Sequence, residues 1–191
     1  MPPKLVLTGF MATGKTTVAR ALGARLGWRL IDSDARLVAR AGKPIAEIFR
    51  DQGEAYFRAL EREVIASITA DRERCPQSGM ALPAIIATGG GTLTDPLNFA
   101  ALERVGIIVC LTARPEVIAR RVGRHAATRP VLMEGGKRLP DRIAELLEQR
   151  RPVYQRAAIT VDTSDAGIGE VADRVLEAFG RCGRPSWKAS A

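Results

Sequence analysis

The sequence predicts an α/β protein in which a parallel sheet is covered by helices on both faces. Three observations carry this. Short apolar runs of strand length recur five times along the chain. Segments with helical period separate them. The first run leads through a glycine-bearing turn directly into a helix, the connection of a strand–helix–strand unit. The length of 191 residues, 46% hydrophobic and 26% charged, suits one domain with a sizeable core and excludes general disorder. With aromatics at only 5%, the core is expected to be built mainly from Leu, Ile, Val and Ala.

The elements follow in order. Residues 4–8, Lys-Leu-Val-Leu-Thr, read as the first strand. Val18, Ala21, Leu22 and Leu26 recur at helical spacing over 15–26, and Gly27 ends that helix. Residues 29–32 form the second strand. Helices are expected over 34–41, 44–52 and 54–70, divided by Gly42-Lys43-Pro44 and Gly53. Cys75-Pro-Gln-Ser-Gly79 is a surface loop, and 84–87 is a buried strand ending at Gly89-Gly90-Gly91. Helix 96–104, strand 106–111 and helix 114–121 come next. Residues 122–138 carry no apolar period. Helix 139–154, strand 158–162 and helix 167–181 complete a single domain over 1–182, with a frayed tail at 183–191 on which Trp187 is the one residue suited to docking.

The excess of 29 basic over 21 acidic residues, +8, points to an anionic partner: a nucleic acid, or a phosphorylated small molecule. No apolar run approaches the roughly 18 residues of a membrane span, and the N-terminus has no signal-peptide pattern. Cys75, Cys110 and Cys182 form no CxxC pair and cannot all pair within the chain, which suits a reducing cytoplasm.

In an open parallel sheet, ligands sit beyond the carboxyl ends of the strands, and the chemically distinctive residues lie there. Gly9-Phe-Met-Ala-Thr-Gly14-Lys15-Thr16 fits G-x-x-x-x-G-K-[ST] between a strand and a helix, the context this phosphate loop requires. Backbone N–H groups, Thr13 and Thr17 among their owners, would converge on phosphates at a helix N-terminus. Lys15 would meet the β- and γ-phosphates and the Thr16 hydroxyl would bind Mg²⁺. Asp32 and Asp34 follow the second strand. In extended chain both carboxylates face one side, one for magnesium and one for a hydroxyl acceptor; the plain alternative makes Asp34 a helix N-cap with Asp32 solvated.

Arg58 offers either a bidentate clamp for a substrate carboxylate or an i, i+4 pair with Glu54 worth only a few tenths of a kcal/mol. Gly89, Gly90 and Gly91 are more glycines than a tight turn needs, so a ligand is expected close to that backbone. Residues 114–129 hold Arg114, Arg120, Arg121, Arg124 and Arg129 against one acid, Glu116, the composition of a basic lid over 122–138. Stacking aromatics are absent there, which disfavours a nucleic-acid site.

These motifs, in this order, together with Gly53-Glu-x-x-Phe57-Arg58, Arg129-Pro130 and Arg150-x-Pro152-x-Tyr154, resemble the shikimate kinase family over nearly the whole chain. The resemblance implies a three-layer α/β/α fold with a five-stranded parallel sheet in order 2-3-1-4-5, a substrate-binding helical region near 34–62 and a lid. It implies phosphorylation of the 3-hydroxyl of shikimate by MgATP in a monomer. It further implies that Asp34 contacts the ring hydroxyls, Arg58 and Arg150 hold the carboxylate, the backbone at Gly90 supports the substrate, Thr16 and Asp32 organise Mg²⁺, Arg129 closes on the phosphates and Arg121 packs on adenine. Two departures stand out. Ala12 occupies a position often held by a third loop glycine; a backbone that alanine adopts easily is expected, since φ > 0 would cost about 1 kcal/mol or more. The segment 164–169 lacks the Arg and Pro found in some members. The rival readings are a gluconate- or nucleotide-type kinase with the same loop, a non-catalytic ligand sensor on this fold, and a nucleic-acid binder driven by charge.

Overall fold

The computed structural model describes residues 4–71, 73, 82–123, 132 and 138–182. Five strands form one sheet: β1 (Lys4–Gly9), β2 (Arg29–Asp32), β3 (Ala84–Ala87), β4 (Gly106–Thr112) and β5 (Ile159–Asp162). Their spatial order is β2-β3-β1-β4-β5, and every pairing is parallel. The helices are α1 (Lys15–Leu26), α2 (Ser33–Ala41), α3 (Ile45–Ala70), α4 (Pro96–Val105), α5 (Pro115–Val122), α6 (Leu139–Tyr154) and α7 (Ile168–Arg181). This is the expected three-layer α/β/α arrangement.

The central strands are apolar throughout because both of their faces are covered. On β1, Leu5 and Leu7 meet Val18 and Leu22 of α1 and Val171 and Val175 of α7. Val6, between them, faces the opposite layer, where Ile48, Ile65 and Phe99 close over Ile86 and Ile108. A third cluster joins Phe10 and Cys110 to Val117 and Ile118 of α5 and Ile143 of α6. The alternation of side chains along a strand is what lets one short run serve two cores. β5 is an edge strand and alternates accordingly, with Ile159 and Val161 buried and Thr160 and Asp162 exposed. The few aromatics are concentrated at anchor points. Phe10 and Phe99 are fully buried, and Trp28 meets Phe179 edge-to-face at 6.0 Å, tying the α1–β2 turn to α7.

The helices expected at 44–52 and 54–70 are divided where the sequence divides them: Gly53, at φ 79 and ψ 175, breaks the helical geometry of α3 and kinks it. One local feature differs from the spacing-based expectation. A short 3-10 turn, Thr92–Thr94, follows the glycine run, where no period in the sequence marks it. Most of the expected lid, with Arg124 and Arg129, lies outside the described residues, as do Cys75 and the tail 183–191. Within the lid span Leu132 is buried in the α5–α6 cluster, an apolar anchor that an aperiodic sequence does not advertise. No helix among the described residues is long and apolar enough to cross a membrane.

Candidate active site

β1, β2 and β3 all end on the same side of the sheet, and their trailing residues meet there. After β1 the chain turns through the phosphate loop into α1. Gly9 has φ 131, and a Cβ on it would lie 2.1 Å from the Leu111 carbonyl oxygen. Gly14 caps α1 at φ 92. The Thr13 hydroxyl donates to the Phe10 carbonyl at 2.8 Å, and Lys15 Nζ donates to the same oxygen at 2.8 Å. Ala12 lies at φ 60. The expectation of an easy alanine backbone is therefore wrong. The loop curls through the left-handed region here, and Ala12 bears the steric cost of its Cβ.

At the end of β2, Asp32 and not Asp34 is the helix cap. Asp32 Oδ1 accepts from the backbone N–H groups of Asp34 and Ala35 at 3.0 and 3.1 Å. Its other oxygen accepts from the Thr16 hydroxyl at 3.1 Å. One carboxylate thus caps α2 and faces the first turn of α1. Asp34, freed from capping, lies in the first turn of α2 beside the glycine run. A cavity of about 230 Å³ is bounded by Lys15, Thr16, Asp32, Asp34, Thr88 and Gly90.

The glycine run is explained by close approach. None of the three glycines has positive φ. A Cβ on Gly89 would stand 2.6 Å from Asp34 Oδ1, one on Gly90 3.2 Å from the Met11 N–H nitrogen, and one on Gly91 3.1 Å from Arg58 Nη1. What crowds this turn is the protein itself: the Asp34 and Arg58 side chains and the Met11 backbone. The Gly89 N–H donates to Ser33 Oγ at 3.1 Å, fastening the turn to α2.

Arg58 makes the i, i+4 pair with Glu54 weighed for it and adds a second pair with Glu61. Its Nε and Nη2 donate to Glu54 at 3.2 and 3.0 Å, and its Nη1 donates to Glu61 at 2.9 Å. Glu61 is 3% exposed, and its second oxygen accepts from the Thr92 hydroxyl at 2.8 Å. Burial works against the Arg58 charge, but the Glu61 carboxylate and then Glu54 outweigh it and hold its pKa above the ordinary arginine value. Arg150 reaches the turn from α6, donating to the Gly90 carbonyl at 3.2 Å, with its guanidinium 5.2 Å from the Phe10 ring centroid. Tyr154 donates to the same carbonyl at 2.7 Å, and burial pushes its pKa up to about 12, so the phenol stays a donor. Sequence reasoning overlooked Ser33, Glu61 and Thr92. Glu61 alone had a visible signal, its i, i+3 spacing from Arg58.

On the other side of the loop lies a cavity of about 390 Å³, lined by Ala12, Gly14, Thr17, Arg121, Thr163 and Ile168 among others. Arg121 spans its rim and donates to Thr163. Arg114 is bound to Asp165 by two hydrogen bonds at 2.8 and 2.7 Å, so part of the basic stretch is committed to ion pairs. Among the described residues no group of three or more His, Cys, Asp or Glu could cage a metal. A hydroxyl and one carboxylate, Thr16 and Asp32, suit Mg²⁺, which keeps waters and phosphate oxygens as its remaining ligands.

A family model described as shikimate kinase matches residues 11–179. The chain belongs to the shikimate kinase family. A shikimate kinase of Thermoanaerobacter pseudethanolicus is 39% identical over 92% of this chain and 95% of its own length. The solved shikimate kinase of Acinetobacter baumannii in complex with shikimate superposes with a TM-score of 0.84 at 30% identity, covering 97% of each chain. A gluconokinase of Sinorhizobium meliloti reaches a TM-score of 0.55 at 18% identity over 95% of this chain and 93% of its own, which shows a shared fold alone. Within the family, ATP-dependent phosphoryl transfer is the common chemistry.

Proposed function

We propose that the chain transfers the γ-phosphoryl group of ATP to the 3-hydroxyl of shikimate, giving shikimate 3-phosphate and ADP on the route to chorismate and the aromatic amino acids. The observation that carries this reading is the pair of guanidiniums, Arg58 and Arg150, flanking one glycine turn beside Asp34 and the phosphate loop. Two cations beside a hydroxyl-seeking carboxylate suit a small polyhydroxy acid and not a nucleoside monophosphate.

Phosphoryl transfer demands positioning and charge neutralisation from the protein, and little covalent chemistry. The loop from Gly9 to Thr17 cradles the phosphates. Lys15 exchanges the Phe10 carbonyl for phosphate oxygens. Thr16 and Asp32 would hold Mg²⁺, which supplies neutralisation of the β- and γ-phosphate charge. Arg58 and Arg150 grip the carboxylate, Gly89, Gly90 and Gly91 let the ring lie close to backbone, and Asp34 accepts the hydrogen bond of the attacking hydroxyl and takes its proton. Arg121 lies along the base, and Arg129, from the lid over 122–138, completes the charge on the transferring group. Residues 1–182 act as one domain, with the substrate-binding region at 34–62, as a cytoplasmic monomer.

ADP release from MgATP, measured with shikimate, gluconate, AMP and no acceptor, tests the reading. Turnover is expected with shikimate alone. Equal or faster turnover with gluconate or AMP overturns it, and none with any acceptor favours a ligand sensor.

A further inference from the structure

Thr163 stands where β5 ends, 3% exposed, and its hydroxyl joins three elements. It accepts a hydrogen bond from Arg121 Nη1 at 2.9 Å. Its own proton lies between the Thr112 carbonyl at 3.0 Å and the Thr13 carbonyl at 3.2 Å. The Thr163 main-chain carbonyl accepts from Nη2 of the same guanidinium. Thr112 closes β4, Thr13 belongs to the phosphate loop, and Arg121 ends α5. One buried hydroxyl therefore fixes the cation on the rim of the 390 Å³ cavity and ties that rim to the loop below it.

The partners of Arg121 decide what it can do. Thr163 Oγ1, the Thr163 carbonyl and the Ala12 carbonyl at 3.5 Å are all neutral. Among the described residues no carboxylate pairs with this guanidinium. Guanidinium hydrogen bonds run in the plane of the group, so partners at the edge leave the faces available to a flat ring. A hydroxyl at 163 also supplies both halves of the arrangement, a lone pair for Arg121 and a proton for the loop carbonyl.

We propose that Thr163 is a positioning residue for the nucleotide: its hydroxyl holds Arg121 edge-on at the cavity rim and couples that rim to the phosphate loop through Thr13. The proposal rests on reading this cavity as the seat of the nucleotide base. Thr163 touches no reacting atom and acts through Arg121 and the loop.

The test reads nucleotide binding directly, with a fluorescent ADP analogue and no acceptor present, so its outcome is independent of whether shikimate is the substrate. Thr163→Val keeps the shape and removes the hydroxyl. Losing a hydrogen bond to a charged group is expected to raise the nucleotide Kd by about tenfold, and Thr163→Ser should recover most of it. In an Arg121→Ala background the same valine substitution should add less than about threefold, because paired residues are non-additive. In turnover, KM for ATP should rise more than KM for shikimate. An unchanged Kd, the same loss in both backgrounds, equal rises in both KM values, or failure of serine to recover binding would each overturn the proposal. If the valine protein does not fold, Thr163→Ala is put through the same cycle.

Discussion

Ala12 shows how a single dihedral becomes a measurable quantity. At φ 60 an alanine carries roughly 1–2 kcal/mol of left-handed strain. Glycine would remove it, while the looser unfolded chain takes back roughly 0.4–1 kcal/mol. Ala12→Gly should therefore stabilise the protein by about 0.5 kcal/mol, read from the urea midpoint at unchanged slope. Arg58 poses the opposite question, of binding and not folding. It is held by Glu61 from within and by Glu54 from the solvent side. Arg58→Ala removes one arm of the proposed carboxylate clamp and should weaken shikimate binding by about 2–5 kcal/mol, with a far smaller effect on ATP. Glu61→Gln keeps Arg58 but loosens its inner anchor, and should fall between wild type and Arg58→Ala in calorimetric titration with shikimate. Equal effects of Arg58→Ala on both ligands would return this arginine to a purely structural pairing.

At the scale of the element, the helix starts are where sequence chemistry is most explicit. Asp95 caps α4, accepting from the Leu97 and Asn98 N–H groups at 2.8 and 3.4 Å and from Arg62 of α3 at 3.0 Å. Burial alone would raise its pKa, but Arg62 and the two amides outweigh that and hold it below the ordinary carboxylate value. A depressed carboxyl pKa adds stability above the unfolded value of about 3.9, and this is lost as pH falls through the folded value. Asp95→Ala should cost about 1 kcal/mol at pH 7. The difference in Tm between the two proteins should shrink progressively below about pH 4. A difference constant from pH 7 to pH 2.5 would show that the cap acts without its charge. Much of this level was legible beforehand: the strand and helix spans agree with spacing to within a residue or two. The 3-10 turn after Gly91 was not, because three residues are too few to express a period.

For the whole molecule, the question is how the two proposed sites on either side of the phosphate loop are closed together. The proposed lid over 122–138 springs from α5, whose Arg121 spans the rim of the 390 Å³ cavity, and returns to α6, whose Arg150 and Tyr154 hold the glycine turn. Both of its flanking helices thus carry residues of the proposed sites. Closure would exclude water, which competes with the substrate hydroxyl for the phosphoryl group. Arg129→Ala should lower kcat more than it raises KM for shikimate, because its contact strengthens in the transition state. Arg124→Ala should do much less. Hydrogen exchange in 122–138 should slow when MgADP and shikimate are added together. Identical behaviour of the two variants, with exchange unaltered by ligands, would remove the lid.

Chain-local signals reveal whatever depends on neighbours along the backbone. The five apolar runs imply a doubly covered sheet, and the G-x-x-x-x-G-K-T spacing announces a phosphate loop, because strand, turn and helix N-terminus are consecutive in sequence. Asp34, Arg58 and Arg150 were nameable from motif order. Contacts between distant segments are another matter. That Asp32 both caps α2 and bonds Thr16, that Glu61 reaches Thr92 31 positions away, and that Thr163 meets Thr13 across 150 positions all follow from how the strands are ordered in the sheet. The glycine run illustrates the boundary well. Its composition suggested a ligand close to that backbone, but only the packing of α2, α3 and the loop around β3 determined that Asp34, Arg58 and the Met11 backbone occupy the space where side chains would have been. Local propensity is a property of a few consecutive residues, whereas a shared hydrogen bond needs two chain segments brought to within about 3 Å by the burial of everything between them.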